Sequence, residues 1–308
     1  MDLDIIKATQ PYEYYIKFIK QNCRPDNRKL SDIRSCNIRV NCINTTINGG
    51  SSIVKLGSTN VVCGITARVC KPKEEKPDKG FIICRILSYI VKLDFLIKIY
   101  NLGNVELPAL SSSKNFKTST SYQSTSLSTA TVEQSQSMLS QLMQDILTES
   151  KCINENDLCI KEGKLVWVLY IDLICLNNDG NVQDACCLAM ISALKSVKLY
   201  EMDYDLDENK ILIKKPLNII GLKLYSEPVC TTLFSLEDNI LLSDPNKQEE
   251  DFMRAFIIIC TIDKSKICLI RKYGGLPLTN EQVNLCIERA LLNGNYVRDN
   301  FYKTVKIE

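Results

Sequence analysis

Residues 164–197, "KLVWVLYIDLICLNNDGNVQDACCLAMISALKSV", decide how the rest of the chain is read. The first thirteen are almost continuously apolar, which predicts a strand buried on both faces or nearly so. "NNDGN" has turn composition, and the spacing beyond it predicts a helix from about Gln183 to Val197. A strand, a tight turn and a helix start leave backbone N–H groups unpaired, and such groups often hold phosphate. The remaining sequence has to say whether this turn does so.

A chain of 308 residues can bury one large core or two ordinary ones. Its formal charge of +2 is close to balanced, so nucleic-acid contact would have to come from a local patch or from partners. There are no histidines, which excludes Ser-His-Asp and Cys-His pairs, histidine bases and His-containing metal sites. The 15 cysteines are odd in number, show no C-x-x-C spacing and sit mostly in apolar company. They read as reduced core residues in a reducing, intracellular compartment. No basic, apolar secretory leader is visible in "MDLDIIKATQ".

Outward from the opening stretch, "YEYYIKFIKQ" (Tyr12–Gln21) predicts a short amphipathic helix. Residues Asn37–Val69 alternate and are broken by glycine turns, predicting a strand meander. Phe81–Gly103 is apolar but is interrupted by Arg85, Lys92, Asp94 and Lys98. A membrane span is disfavoured there, and a surface helix or a foreign insertion is expected. Residues 111–131 hold 13 Ser or Thr, too little apolar surface to offset ordering, and predict a flexible loop. A helix over Val132–Thr148 follows, its stripe formed by Met138, Leu139, Leu142, Met143, Ile146 and Leu147. "MDYDLDENK" reads as an exposed acidic break. Beyond it, strands near Val229–Phe234, Ile240–Ser243, Phe256–Ile262 and Lys266–Arg271 precede a helix Thr279–Leu292. Strands then a helix, twice over, give an α+β chain of two related halves.

"PYEYYIKFIKQNCRPDNRKLSDIR", "VKLGSTNVVCGITA", "KPDKGF", "VELPAL", "DLCIKEGKLVWVLYIDLICLNNDGNVQDA" and "LLSDPNKQEE" together resemble the RNase PH family, in particular ring subunits of the eukaryotic RNA exosome. The resemblance runs in order from about Pro11 to Leu292. It implies the RNase PH fold, two halves each like the second domain of ribosomal protein S5. The halves are placed at 31–200 and 215–295, after an entry segment 1–30 and before a tail 296–308. It implies a hexameric ring with other RNase PH-like subunits, RNA-binding cap subunits, and RNA passing through the channel. The resemblance further implies a structural subunit without cofactor, metal or membrane contact, resident in nucleus and nucleolus and also cytoplasm. Relatives pass almost directly from "KGF" to "VELPAL", so about 84–103 is an insertion, either lineage-specific or a retained intron that the mature message would lack.

Active relatives carry Ala-Asp-Gly-Gly-Thr-Arg at the opening turn, the Thr and Arg holding phosphate. Here Gly180 survives, while Val182 and Gln183 stand at the Thr and Arg positions. A neutral amide lacks the charged, two-pronged grip of arginine. Asp184 adds a negative charge inside the helix start. Asp238 and Asp244 keep the six-residue spacing of the family's carboxylates, although both also read as turn formers. The basic RNA-gripping helix is replaced by the Ser/Thr-rich loop, whose cations Lys114 and Lys117 are weak RNA contacts.

The expectation is therefore a noncatalytic scaffold subunit. Two rivals stand beside it: a phosphorolytic 3′-exoribonuclease working from Asp238 and Asp244, and a solitary RNA-binding module using Arg24, Arg28, Arg34 and Arg39.

Overall fold

The computed structural model describes residues 9–43, 48–88, 127–205, 210–213, 218–235, 240–251, 255–274 and 277–302. Helix α1 (Pro11–Lys20) leads into strands β1 (Cys36–Val40), β2 (Gly49–Leu56) and β3 (Thr59–Cys70). Strand β4 (Phe81–Ser88), helix α2 (Leu127–Ser150), and strands β5 (Cys159–Lys161) and β6 (Leu165–Asn177) follow. Helix α3 is Val182–Lys195, and β7 is Lys198–Tyr200. Next come β8 (Met202–Asp205), β9 (Lys210–Ile213), β10 (Ile219–Gly221), β11 (Val229–Ser235) and β12 (Leu241–Ser243). The chain continues with α4 (Lys247–Glu250), β13 (Ala255–Thr261), β14 (Ile267–Gly274) and α5 (Asn280–Val297).

An eight-stranded sheet has the order β10-β7-β2-β3-β6-β4, with β1 on β2 and β5 on β6. A four-stranded sheet runs β12-β11-β13-β14. Helix α3 lies between them and packs on β2, β3 and β11. Every residue from Asp184 to Leu194 is buried, as expected of a helix covered all round. The main core accordingly mixes Val61, Ile65, Leu169 and Ile171 of the large sheet with Val229, Ile258 and Cys260 of the small one. The two halves thus share one core.

The structure corrects several expectations. Phe81–Ser88 is a strand and not a helix: it pairs parallel with β6, Phe81 opposite Val168 through Ser88 opposite Cys175. The charge that broke its apolar run, Arg85, is neutralised sideways by Asp172 on β6. Residues 89–103 lie outside the described residues, as do residues 111–126 of the expected loop. Residues 127–131 of that loop are already helical. Of the α2 stripe, Leu142, Met143, Ile146 and Leu147 are buried, but Met138 is 49% exposed. The acidic break contains the β8–β9 hairpin, Met202 opposite Ile213. The expected tail is packed through residue 302: α5 runs to Val297, and Tyr302 is buried in the main core. Among the described residues no helix is long and apolar enough to cross a membrane.

Candidate functional site

The turn between β6 and α3 is built by hydrogen bonding from distant segments. Gly180 has φ +84° and Asn181 φ +53°, both left-handed. The Asn178 side chain accepts from the Gly180 N–H at 2.9 Å. The Thr59 hydroxyl donates to the Gly180 carbonyl at 2.7 Å and accepts from the Asp179 N–H at 3.1 Å. From the second half, the Lys247 N–H donates to the Asp179 carbonyl at 3.1 Å.

The N–H of Asn181, which would face an incoming anion, is already taken: it donates to Glu250 Oε1 at 2.7 Å. Glu250 is carried there by α4, a one-turn helix whose Asn246 and Glu249 form a reciprocal capping box. A carboxylate of the chain itself therefore occupies the helix-start position that suits a phosphate.

Asp244 is equally committed. It is 2% exposed, has φ +47°, and directly follows β12. Its carboxylate accepts from the Arg34 backbone N–H (2.7 Å), Arg34 Nε (2.9 Å) and Nη2 (2.8 Å), and Asn181 Nδ2 (2.7 Å). Burial pushes its pKa up, but the hydrogen bonds and charge of Arg34 more than reverse this and hold it below the usual carboxylate range. Arg34 also donates to the carbonyls of Asp179 (2.8 Å), Gly180 (3.0 Å) and Pro245 (3.3 Å). A second buried pair, Arg24 with Glu249, lies beside it; Arg24 Nη1 reaches the Ser243 carbonyl at 2.9 Å. Arg28 joins Asp26 at 2.6 Å and Asp244 at 3.3 Å. Three of the four arginines assigned to the RNA-module rival are thus spent inside the fold; only Arg39 is exposed.

Asp184 is buried and accepts from Asn181 Nδ2 at 2.8 Å, the Thr232 hydroxyl at 2.7 Å and the Thr232 N–H at 3.1 Å. Burial pushes its pKa from 3.8 up to about 6, against the hydrogen bonds that lower it. The folded state therefore takes up a proton more readily than the unfolded one. This contribution to stability is full below 3.8 and is lost as the pH rises through about 6. Asp184→Asn should flatten the pH dependence of the unfolding midpoint across that window, an effect of roughly 3 kcal/mol at most from 1.36 kcal/mol per unit. The Thr232 hydroxyl can turn to accept from the new amide. A pH slope identical to that of the parent chain would show that Asp184 does not titrate there.

The structure thus brings Gly180, Asn181, Asp184 and Asp244 together. Val182 and Gln183 occupy the first two helical positions, Val182 against the core and Gln183 half-buried. Asp238, Lys114 and Lys117 lie outside the described residues. A cavity of about 10 Å³ lined by Asp184, Asp244 and Thr231 is at the limit for one water and far below what a nucleotide needs. Among the described residues no group of three or more acidic or sulfur side chains is placed to hold a metal. Sequence reading named Arg34 only as an RNA contact of the solitary-module rival, and missed Thr59, Glu249 and Glu250; only the Asn246-x-x-Glu249 capping pattern was there to find.

Residues 32–199 match domain 1 of the 3′ exoribonuclease family, RNase PH, and residues 227–291 match its domain 2. The chain belongs to this family. It is 33% identical over 286 residues to exosome complex component rrp43 of Schizosaccharomyces pombe, covering 93% of each chain. Its fold matches a solved archaeal exosome core with TM-score 0.71 at 22% identity, over 97% of both chains. It also matches the Archaeoglobus fulgidus exosome with RNA bound to the active site, TM-score 0.69 at 23% identity, over 97% of this chain and 98% of that one.

Proposed function

We propose that the chain is a structural subunit of an RNA exosome ring and contributes no catalytic group of its own. The ring assignment is supported by the extent of the likeness to the fission-yeast component, which runs the length of both chains. The noncatalytic part is carried by one observation: Glu250 sits on the Asn181 amide at 2.7 Å, where a phosphate would have to bind. The absence of arginine at Gln183 and the full set of donors around Asp244 point the same way. In this reading the neighbours are other RNase PH-like subunits, with RNA-binding cap subunits above them and RNA running past. Residence in nucleus and nucleolus, with a cytoplasmic share, belongs to the same proposal.

The test is a moderate-salt pull-down of the tagged chain from its own cells, read by mass spectrometry. Near-equal recovery of the remaining ring subunits is expected, with no phosphate-dependent release of nucleoside diphosphates that Gln183→Ala abolishes. Recovery of the chain alone or as a homo-oligomer would overturn the ring assignment. Release sensitive to Gln183→Ala would overturn the noncatalytic one.

A further inference from the structure

Odd-numbered residues of β3 and β6 face helix α3, and Val61, Cys63, Ile65, Leu169 and Ile171 are in the core. On β4 the core-facing residues are Ile82, Cys84 and Ile86. The opposite face of these three adjacent strands carries Arg68, Tyr170, Phe81, Ile83 and Arg85. Tyr170 lies opposite Thr66 and Ile83, and Arg68 and Phe81 both lie opposite Val168, so the group is compact.

Its chemistry is cationic and aromatic. The Arg85 guanidinium is 5.1 Å from the Tyr170 ring centre and that of Arg68 is 5.8 Å from it. Lys73, on the loop before β4, lies 5.5 Å from the centre of the Phe81 ring. A two-pronged pair with buried Asp172, at 2.8 and 3.0 Å, fixes the Arg85 plane while its side chain stays 39% exposed. Arg68 and Lys73 are exposed and make no ion pair among the described residues. Among the described residues Asp172 is the carboxylate within the cluster; Glu74, Glu75 and Asp78 stand exposed on the loop that carries Lys73. Exposed Arg39 and Lys55 add charge at the far end of the same face, Arg39 opposite Ile53 and Lys55 opposite Asn60.

We infer that this open face of the large sheet binds single-stranded RNA. Flat rings and guanidinium planes offer bases a stacking platform, while unpaired cations around them meet the phosphates. Such a combination tolerates any base sequence. An acidic protein partner would match the charge but would leave the stacked planes unexplained. RNA rather than another single-stranded polyanion is named on the exosome reading; the surface itself is independent of it.

The test uses the full-length chain and a fluorescent oligouridylate of roughly 20 nucleotides. Anisotropy titrations over a salt series give the affinity and the slope of log K against log salt. Arg68→Glu with Lys73→Glu should weaken binding about tenfold or more and lower the slope by about 1.4, at roughly 0.7 per lost phosphate contact on a single strand. Tyr170→Leu should weaken binding at least about fivefold with the slope unchanged, and Tyr170→Phe should restore it. Unchanged affinity and slope in the double glutamate variant would overturn the inference. So would RNA binding that survives while recovery of ring subunits is lost, which would mark a protein-docking face. RNA binding through this face by a chain that recovers no ring subunits would leave the inference standing and remove the exosome reading.

Discussion

Arg34→Ala is expected to cost about 3–5 kcal/mol of folding stability, read as a shift in the urea midpoint. The reason is geometric. Arg34 is 8% exposed, and its guanidinium joins the Asp244 carboxylate to the carbonyls of Asp179, Gly180 and Pro245. Its removal leaves a 2% exposed carboxylate without its buried guanidinium partner, held by the backbone N–H of residue 34, Asn181 and, at 3.3 Å, Arg28. It also takes one donor from each of three carbonyls, of which Asp179 and Gly180 keep Lys247 and Thr59. Lysine should not rescue it, because one ammonium cannot span a carboxylate and several carbonyls in a plane. Because Arg34 depresses the Asp244 pKa, the stability from the pair is present above the ordinary value of 3.8 and is lost as the pH falls through the lower folded value. The deficit of the variant should therefore be largest near neutrality and narrow in acid. A loss under about 1 kcal/mol at neutral pH would mean that the pair does not hold the halves together.

Gly180→Ala should be comparably damaging, at about 3 kcal/mol or more. A β-carbon there would stand 2.5 Å from the Asn246 carbonyl carbon, 2.6 Å from the Lys247 nitrogen and 2.7 Å from the Pro245 oxygen. All three are backbone atoms, so either the turn or α4 has to move, and Glu250 moves with α4. Gly163→Ala is the matching control: its φ is +69° but nothing lies within 4 Å of the added carbon. Thermal unfolding of the two variants separates crowding from backbone strain. Equal losses would show that the close approach at Gly180 is not limiting.

Much of the fold was readable because its signals are local. The apolar run of β6 and the largely apolar α3 follow from periodicity, as does the glycine-broken meander of β1 to β3. Strand β4 was misread because Arg85 looks solvent-bound in one dimension, whereas its partner Asp172 is 87 residues away. The β8–β9 hairpin was hidden by acidic residues that suit an exposed two-stranded ribbon as well as a break. At the site, the departure of Val182 and Gln183 from a known Thr-Arg motif is a reading of the sequence alone. The positions of Asp244 and Glu250 were not legible there. Asp244 is bound by Arg34 at a separation of 210 residues, and Glu250 reaches Asn181 across 69. No local pattern encodes such a pairing; it exists only once both halves have closed on α3.

If the chain is noncatalytic, as proposed above, Glu250 also changes how a lack of phosphate binding would arise. A carboxylate tethered at fixed geometry competes with dissolved phosphate at an effective concentration of about millimolar or higher, without the entropy cost of capturing a free ion. Ambient phosphate would have to displace a resident group that leaves only when α4 shifts. On that reading the turn is a seam rather than a hydrated hollow, and the hydrogen bond that would keep an ion out also fastens one lobe to the other.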